Sequence, residues 1–211
     1  MRIKNIFFGA ALAAAISTAP IAAQVGANLG LVNPNLASLE EIAAVPGLSA
    51  AAAQAIVDGR PYLRMTAVNG VVSAHVAAGD IDTVYRGLWL PIDLNDVTDE
   101  EILMIPDAGA RMLREFREYA PFAGLAVFHR EIDKYVDDAE LARLEQYVYV
   151  RIDLNTASDE YILTLPGIGA RMLREFKEYR PFENMAQFRR EMGKYVDATE
   201  VARMERYVEI R

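Results

Sequence analysis

LPGIGARMLREF, residues 165–176, has a near-twin sixty positions earlier: IPDAGARMLREF, residues 105–116. ARMLREF is common to both, so the difference lies in the turn that precedes it. The later copy carries two glycines, Gly167 and Gly169, around Ile168. The earlier one keeps Gly109 but has Asp107 where the first glycine stands. Extended outward at the same offset and without a gap, residues 92–150 align with 152–210, with about three positions in five identical. A third, more divergent copy lies upstream. NLASLEEIAAVPGLS, from Asn35, aligns with NTASDEYILTLPGIG, from Asn155, and Pro46 and Pro61 fall on Pro166 and Pro181. A fixed period decides architecture before any single motif does, because each copy must fold as one supersecondary unit. The chain therefore reads as three tandem units, at residues 24–91, 92–151 and 152–211.

Inside each unit the pattern is of short helices joined by tight turns. Ser38 with Glu41, and Thr98 with Glu101, have the spacing of a capping box. The third copy keeps Ser158 as a cap but has Tyr161 in place of the glutamate. A short helix runs from each cap to the Pro-Gly or Pro-Asp turn, and a second helix begins beyond it. On that second helix Met172, Leu173, Phe176 and Tyr179 share one face. Pro181, like Pro121 and Pro61, stops it. Two more helices are expected near Met185–Met192 and Thr199–Tyr207. The tails YVYVRIDL and YVEI are β-branched and aromatic, which predicts short extended segments between units. A unit of sixty residues buries little on its own, so neighbours are expected to pack together, with Trp89 between the first and second.

The start of the chain has a different character. MRIKNIFFGAALAAAISTAPIAA, residues 1–23, opens with Arg2 and Lys4, continues in an apolar run from Ile6 to Ile16, and ends in small residues. That is the layout of a secretory signal peptide with cleavage after Ala23. The alternative, an N-terminal membrane anchor, is disfavoured because the run is shorter than the roughly 20 residues a spanning helix needs. The expectation is an exported protein, periplasmic or secreted. Cysteine is absent, which excludes disulfides and lipid attachment at a cysteine, so the core alone must hold the fold. The two histidines, His75 and His129, stand apart from any metal or triad spacing. No catalytic, cofactor or metal set is read from this sequence, and the protein is expected not to be an enzyme.

From Leu154 to Phe182 the sequence LNTASDEYILTLPGIGARMLREFKEYRPF resembles the helix-hairpin-helix domain of ComEA-type DNA receptors. The likeness rests on the helix start Asn155–Ser158, the hairpin Leu165–Gly169, and Pro181 with Phe182 after the second helix. It is dense over the third unit, good over the second and partial over the first. The resemblance implies an all-α fold of three tandem helix-hairpin-helix units. It also implies non-catalytic, sequence-independent DNA binding outside the cytoplasm, of the kind used in DNA uptake.

The residues themselves suggest how such binding works. Glycines flanking an apolar anchor let a backbone approach closely, and the amides opening the next helix are unpaired at the positive end of its dipole. A phosphate held there fixes position on DNA without reading bases. The candidate residues are Gly167, Ile168, Gly169 and Ala170 in the hairpin, with Arg171, Arg174 and Lys177 beside it. Gly47, Ser49, Gly109 and Arg111 are the corresponding candidates in the earlier copies. Asp107 is expected to repel phosphate and to cap the amides that phosphate would use, which makes the second hairpin structural.

Charge follows the same gradient. Residues 24–91 hold 3 basic and 5 acidic side chains, residues 92–151 hold 7 and 14, and residues 152–211 hold 10 and 11. DNA binding is therefore expected in the last unit, weak and salt-sensitive. Several bland readings compete with it. Arg171 with Glu175 and Arg174 with Glu178 have i, i+4 spacing and would pair on a solvated face. Arg189, Arg190 and Lys194 form a second basic group without a second Gly-apolar-Gly. Tyr147, Tyr149, Tyr195 and Tyr207 fill the core rather than stack on bases. The excess of acidic residues, Asp107 and Ser49 favour a different class of function, a protein-interaction or structural scaffold that keeps the repeat fold without DNA affinity.

Overall fold

A computed structural model describes residues 30–211, and the export segment read at residues 1–23 lies outside the described residues. The described chain is predominantly helical. Its elements return every sixty residues. The first segment holds α1 (Leu39–Ala43), α2 (Ala50–Asp58), α3 (Met65–His75) and α4 (Ile81–Tyr85), the last preceded by a 3₁₀ turn. The second holds α5 (Asp99–Leu103), α6 (Ala110–Tyr119), α7 (Leu125–Ile132) and α8 (Asp138–Glu145). The third holds α9 (Asp159–Leu163), α10 (Ala170–Glu178), α11 (Met185–Met192) and α12 (Ala198–Glu205). No helix among the described residues is long and apolar enough to cross a membrane.

The helix starts follow the local chemistry of the sequence. Ser38 and Thr98 each accept from the amide three residues on while Glu41 and Glu101 reach back to the cap, and Ser158 caps α9 without a returning glutamate. The extended tails pair in parallel across each segment. β1 (Ile92–Asp93) meets β2 (Val148–Tyr149), and β3 (Ile152–Asp153) meets β4 (Val208–Glu209). In the first segment a single bridge, Val32 to Leu88, stands at the same register. Each segment is thus closed by a contact between its first and last residues.

A second recurring tie explains the asparagine of the repeated IDLN. The side chain of Asn155 accepts from the Phe182 N–H at 2.8 Å and donates to its carbonyl at 2.9 Å. Asn95 holds Phe122 in the same way, and Asn35 holds Tyr62. The residue so held follows a cis X-Pro bond in all three places. Because a carboxylate cannot donate, Asn155→Asp is expected to lose one of the two bonds and set two acceptors face to face. The expected cost is about 1–2 kcal/mol, read as a lowered midpoint in chemical denaturation.

The apolar residues form two bodies. Buried residues from Ile42 to Val150 make one continuous core across the first two segments. The third segment has its own, built on Phe176, Phe182, Phe188, Met192, Met204 and Tyr207. Trp89 is fully buried at the first junction, where its Nε1–H donates to the Tyr147 carbonyl at 2.9 Å and its ring lies edge-on to Tyr85 and Tyr147. Sixty residues later Tyr149 does the equivalent. Its ring sits 4.7 Å from Tyr207 and its hydroxyl donates to the Arg206 carbonyl at 2.9 Å. Tyr147, Tyr149 and Tyr207 are accordingly buried, and Tyr195 shares a hydrogen bond with Tyr179 at 2.9 Å. The third segment also reaches the first, since Arg206 donates to the carbonyls of Leu63 and Pro91 at 2.9 and 2.8 Å.

Candidate nucleic-acid interface

The three Pro turns share one backbone conformation. Leu48, Ala108 and Ile168 each donate a backbone bond to the residue three before, at 3.1, 3.0 and 3.0 Å. The residue just before them is left-handed every time, with φ of 88° at Gly47, 65° at Asp107 and 75° at Gly167. Glycine adopts this region freely, and aspartate is one of the few other residues that visits it. Asp107 therefore leaves the turn unchanged. What it alters is charge.

Its carboxylate does not cap α6, contrary to the expectation from sequence. Gly109 caps that helix with no side-chain bond, and Asp107 instead pairs with Arg86 at 2.8 Å. Arg86, at the end of α4, offers a full positive charge, which outcompetes neutral amides for a carboxylate.

The second glycine position works differently from the first. In the first segment Ser49 caps α2, its hydroxyl accepting from the Ala52 N–H at 3.2 Å. Gly169 has an ordinary φ of −108°, and a Cβ placed on it would meet no heavy atom within 4 Å. Glycine is not required there by conformation or by space. Its consequence is that the first amides of α10 have no side-chain cap. Ile168 is buried beneath them, while Gly167, Gly169, Ala170 and Arg171 are exposed.

Of the cations placed near this helix start, two are available. Arg171 and Arg174 are exposed, and among the described residues neither forms an ion pair. The i, i+4 pairs with Glu175 and Glu178 do not form. Glu175 faces inward to Tyr195, whose phenol is pushed up by its bond to Tyr179 and then by Glu175. Lys177 is committed, pairing with Asp159 at 2.6 Å as Arg117 pairs with Asp99. The second basic group is also neutralised: Arg189 pairs with Glu205, and both Arg190 and Lys194 pair with Glu191. In the earlier copy, Arg111 lies over the Tyr135 ring at 5.6 Å.

One residue at this site escaped the reading of the sequence. Arg203, from α12, is 3% exposed and lies directly behind the third hairpin. It is held by Glu200 through two bonds, 2.7 and 2.5 Å, and donates to the Pro166 carbonyl. A Cβ on Gly167 would stand 2.7 Å from its Nη2. In the second copy the equivalent Arg143 keeps its pair with Glu140, but its side chain is 23% exposed against 4% for Arg203. The repeated spacing of Glu140 with Arg143 and Glu200 with Arg203 was the available signal; nothing local says the pair is buried against a turn some 37 residues away.

His75 is exposed and His129 lies 3.1 Å from Glu145, and no group able to hold a metal ion occurs among the described residues. Comparison with protein-family models, with curated proteins and with solved structures finds no match for this chain. The fold and the site together define a helical protein with a turn-and-helix device in three copies. Ser49 caps the first copy, Asp107 charges the second, and the third opens its helix amides beside two unpaired arginines.

Proposed function

We propose that the three segments are tandem helix-hairpin-helix units of an exported, non-catalytic protein that binds DNA without sequence preference through the third hairpin. The observation that carries this reading is the uncapped start of α10 at Gly169, flanked by exposed Arg171 and Arg174 with no ion pair among the described residues. An oxyanion on the amides and two guanidinium contacts to neighbouring phosphates make a small, sequence-blind footprint. With two or three phosphates neutralised, the logarithm of affinity should fall against the logarithm of salt with a slope of about −2 to −3. Ile168 and Ala170 shape the turn, while Lys177 contributes only by leaving Asp159.

The test is a titration of residues 24–211 with a fluorescent duplex of random sequence, at low and moderate salt. Gly169→Ser is the sharpest variant. It fits without strain and copies the Ser49 cap, so it should stabilise the fold by a few tenths of a kcal/mol while weakening DNA binding. Arg171→Glu with Arg174→Glu should abolish binding and leave the fold intact. Were the parent not to bind even at low salt, the glycines would merely make a turn. The scaffold reading, which the acidic excess, Asp107 and Ser49 favour, would then replace this one.

A further inference from the structure

Two concavities among the described residues are the same place one repeat apart. The first, where the first two segments meet, is a cavity of about 40 Å³. The second, between the second and third segments, is an open groove of about 450 Å³. Every residue lining the first has its counterpart sixty positions on lining the second, with the exception of Arg206.

Arg206 is what fills the first. It bonds the Leu63 and Pro91 carbonyls, and its guanidinium lies 5.7 and 5.2 Å from the rings of Tyr149 and Tyr207. Around it, Arg64 and Arg151 face Asp93, Asp96 and Glu101, so that Arg206 balances the third carboxylate. Glu101 also accepts from the Met65 N–H at 3.1 Å, tying the two segments together.

The second place has lost that tie. Gly124 stands for Arg64, Thr156 for Asp96, and Tyr161 for Glu101. Tyr161 is 56% exposed. Arg151 lines this groove too, but its guanidinium is held by Asp93 and Asp96. That leaves Asp153 and Glu209 against Arg211 alone, again one carboxylate in excess. Ala123 and Arg151 occupy the positions from which Leu63 and Pro91 present their carbonyls to Arg206.

We propose that this groove docks a partner protein through a single arginine side chain, seated as Arg206 is seated at the first junction. The site is independent of the DNA-binding hairpin. Charge balance selects a single cation, and the Tyr161 face offers the ring that Tyr149 gives to Arg206.

The test uses the full chain, isotope-labelled, and a synthetic peptide of residues 197–211, which carries the Arg206–Tyr207 pair. The expected result is saturable binding with amide shifts confined to the surroundings of Gly124, Tyr161 and Glu209. Arg206→Gln in the peptide, or Glu209→Lys in the chain, should each weaken binding about tenfold or more. Gly124→Arg with Tyr161→Glu rebuilds the first junction in the second. It should raise the melting temperature and, by removing the Tyr161 ring, weaken peptide binding. The proposal is overturned by absence of binding, by shifts elsewhere (including Leu63, which would mean exchange with the internal Arg206), or by affinity indifferent to Arg206→Gln. Self-association of the chain that Glu209→Lys removes would make the occupant a second copy, and would overturn the assignment to another protein.

Discussion

Trp89→Ala is expected to lower the stability of the first two segments by about 3–5 kcal/mol, a drop in melting temperature of roughly 10 °C for a chain of this size. The side chain is fully buried in the core that runs from Ile42 to Val150. Truncation removes two edge-on aromatic contacts, at 5.5 Å to Tyr85 and 5.1 Å to Tyr147, and leaves the Tyr147 carbonyl without its donor. The third segment supplies a control, because Tyr149 occupies the equivalent place at the next junction with a ring and a hydroxyl bond of its own. Trp89→Tyr should therefore cost much less than Trp89→Ala. Thermal unfolding followed by near-ultraviolet circular dichroism checks both. Equal losses for the two variants would mean that volume at this junction matters less than the indole itself.

Gly167→Asp is expected to abolish DNA binding while costing only about 1–2 kcal/mol of stability. The second copy shows how the turn accommodates a carboxylate. There Asp107 holds the left-handed turn at φ 65°, and Arg143 is more exposed than its counterpart Arg203. At the third hairpin the new side chain would meet the Arg203 guanidinium, which must swing outward, and a negative charge would stand beside the amides proposed to receive phosphate. Gly167→Ala separates the two effects, since it brings at least as much backbone strain, and a Cβ in the same place, without the charge. Duplex titration at low salt should find Gly167→Ala binding within a fewfold of the parent and Gly167→Asp not binding. Equal loss in both variants would assign the effect to turn geometry rather than to electrostatics.

Much of the fold was legible because the repeat carries local chemistry. The capping serines and threonine, the prolines after the second helix of each copy and the Met185–Met192 helix all depend on neighbours within a few positions, and the described chain shows each of them. The candidate site was legible only in part. Gly167 was singled out for close approach, and its left-handed φ gives it a firmer reason; Gly169 was singled out for the same purpose, yet its effect is the missing cap. Lys177 has the spacing of a phosphate contact but meets Asp159, eighteen residues away. The i, i+4 pair expected for Arg171 gives way because Glu175 turns toward Tyr195.

The sixty-residue period, the helical elements within it and the place of the Pro turns follow from the order of residues, because near-identical residues at a constant offset meet the same local forces. Tertiary structure alone decided which charges are free. Asp107 finds Arg86, Arg203 goes under Pro166, and Arg206 crosses from the third segment to the first. Those pairings span 21, 37 and 143 residues. At such separations neither spacing nor periodicity constrains a partner. The choice is made by packing, which brings distant charges close enough for their attraction to outweigh the loss of water.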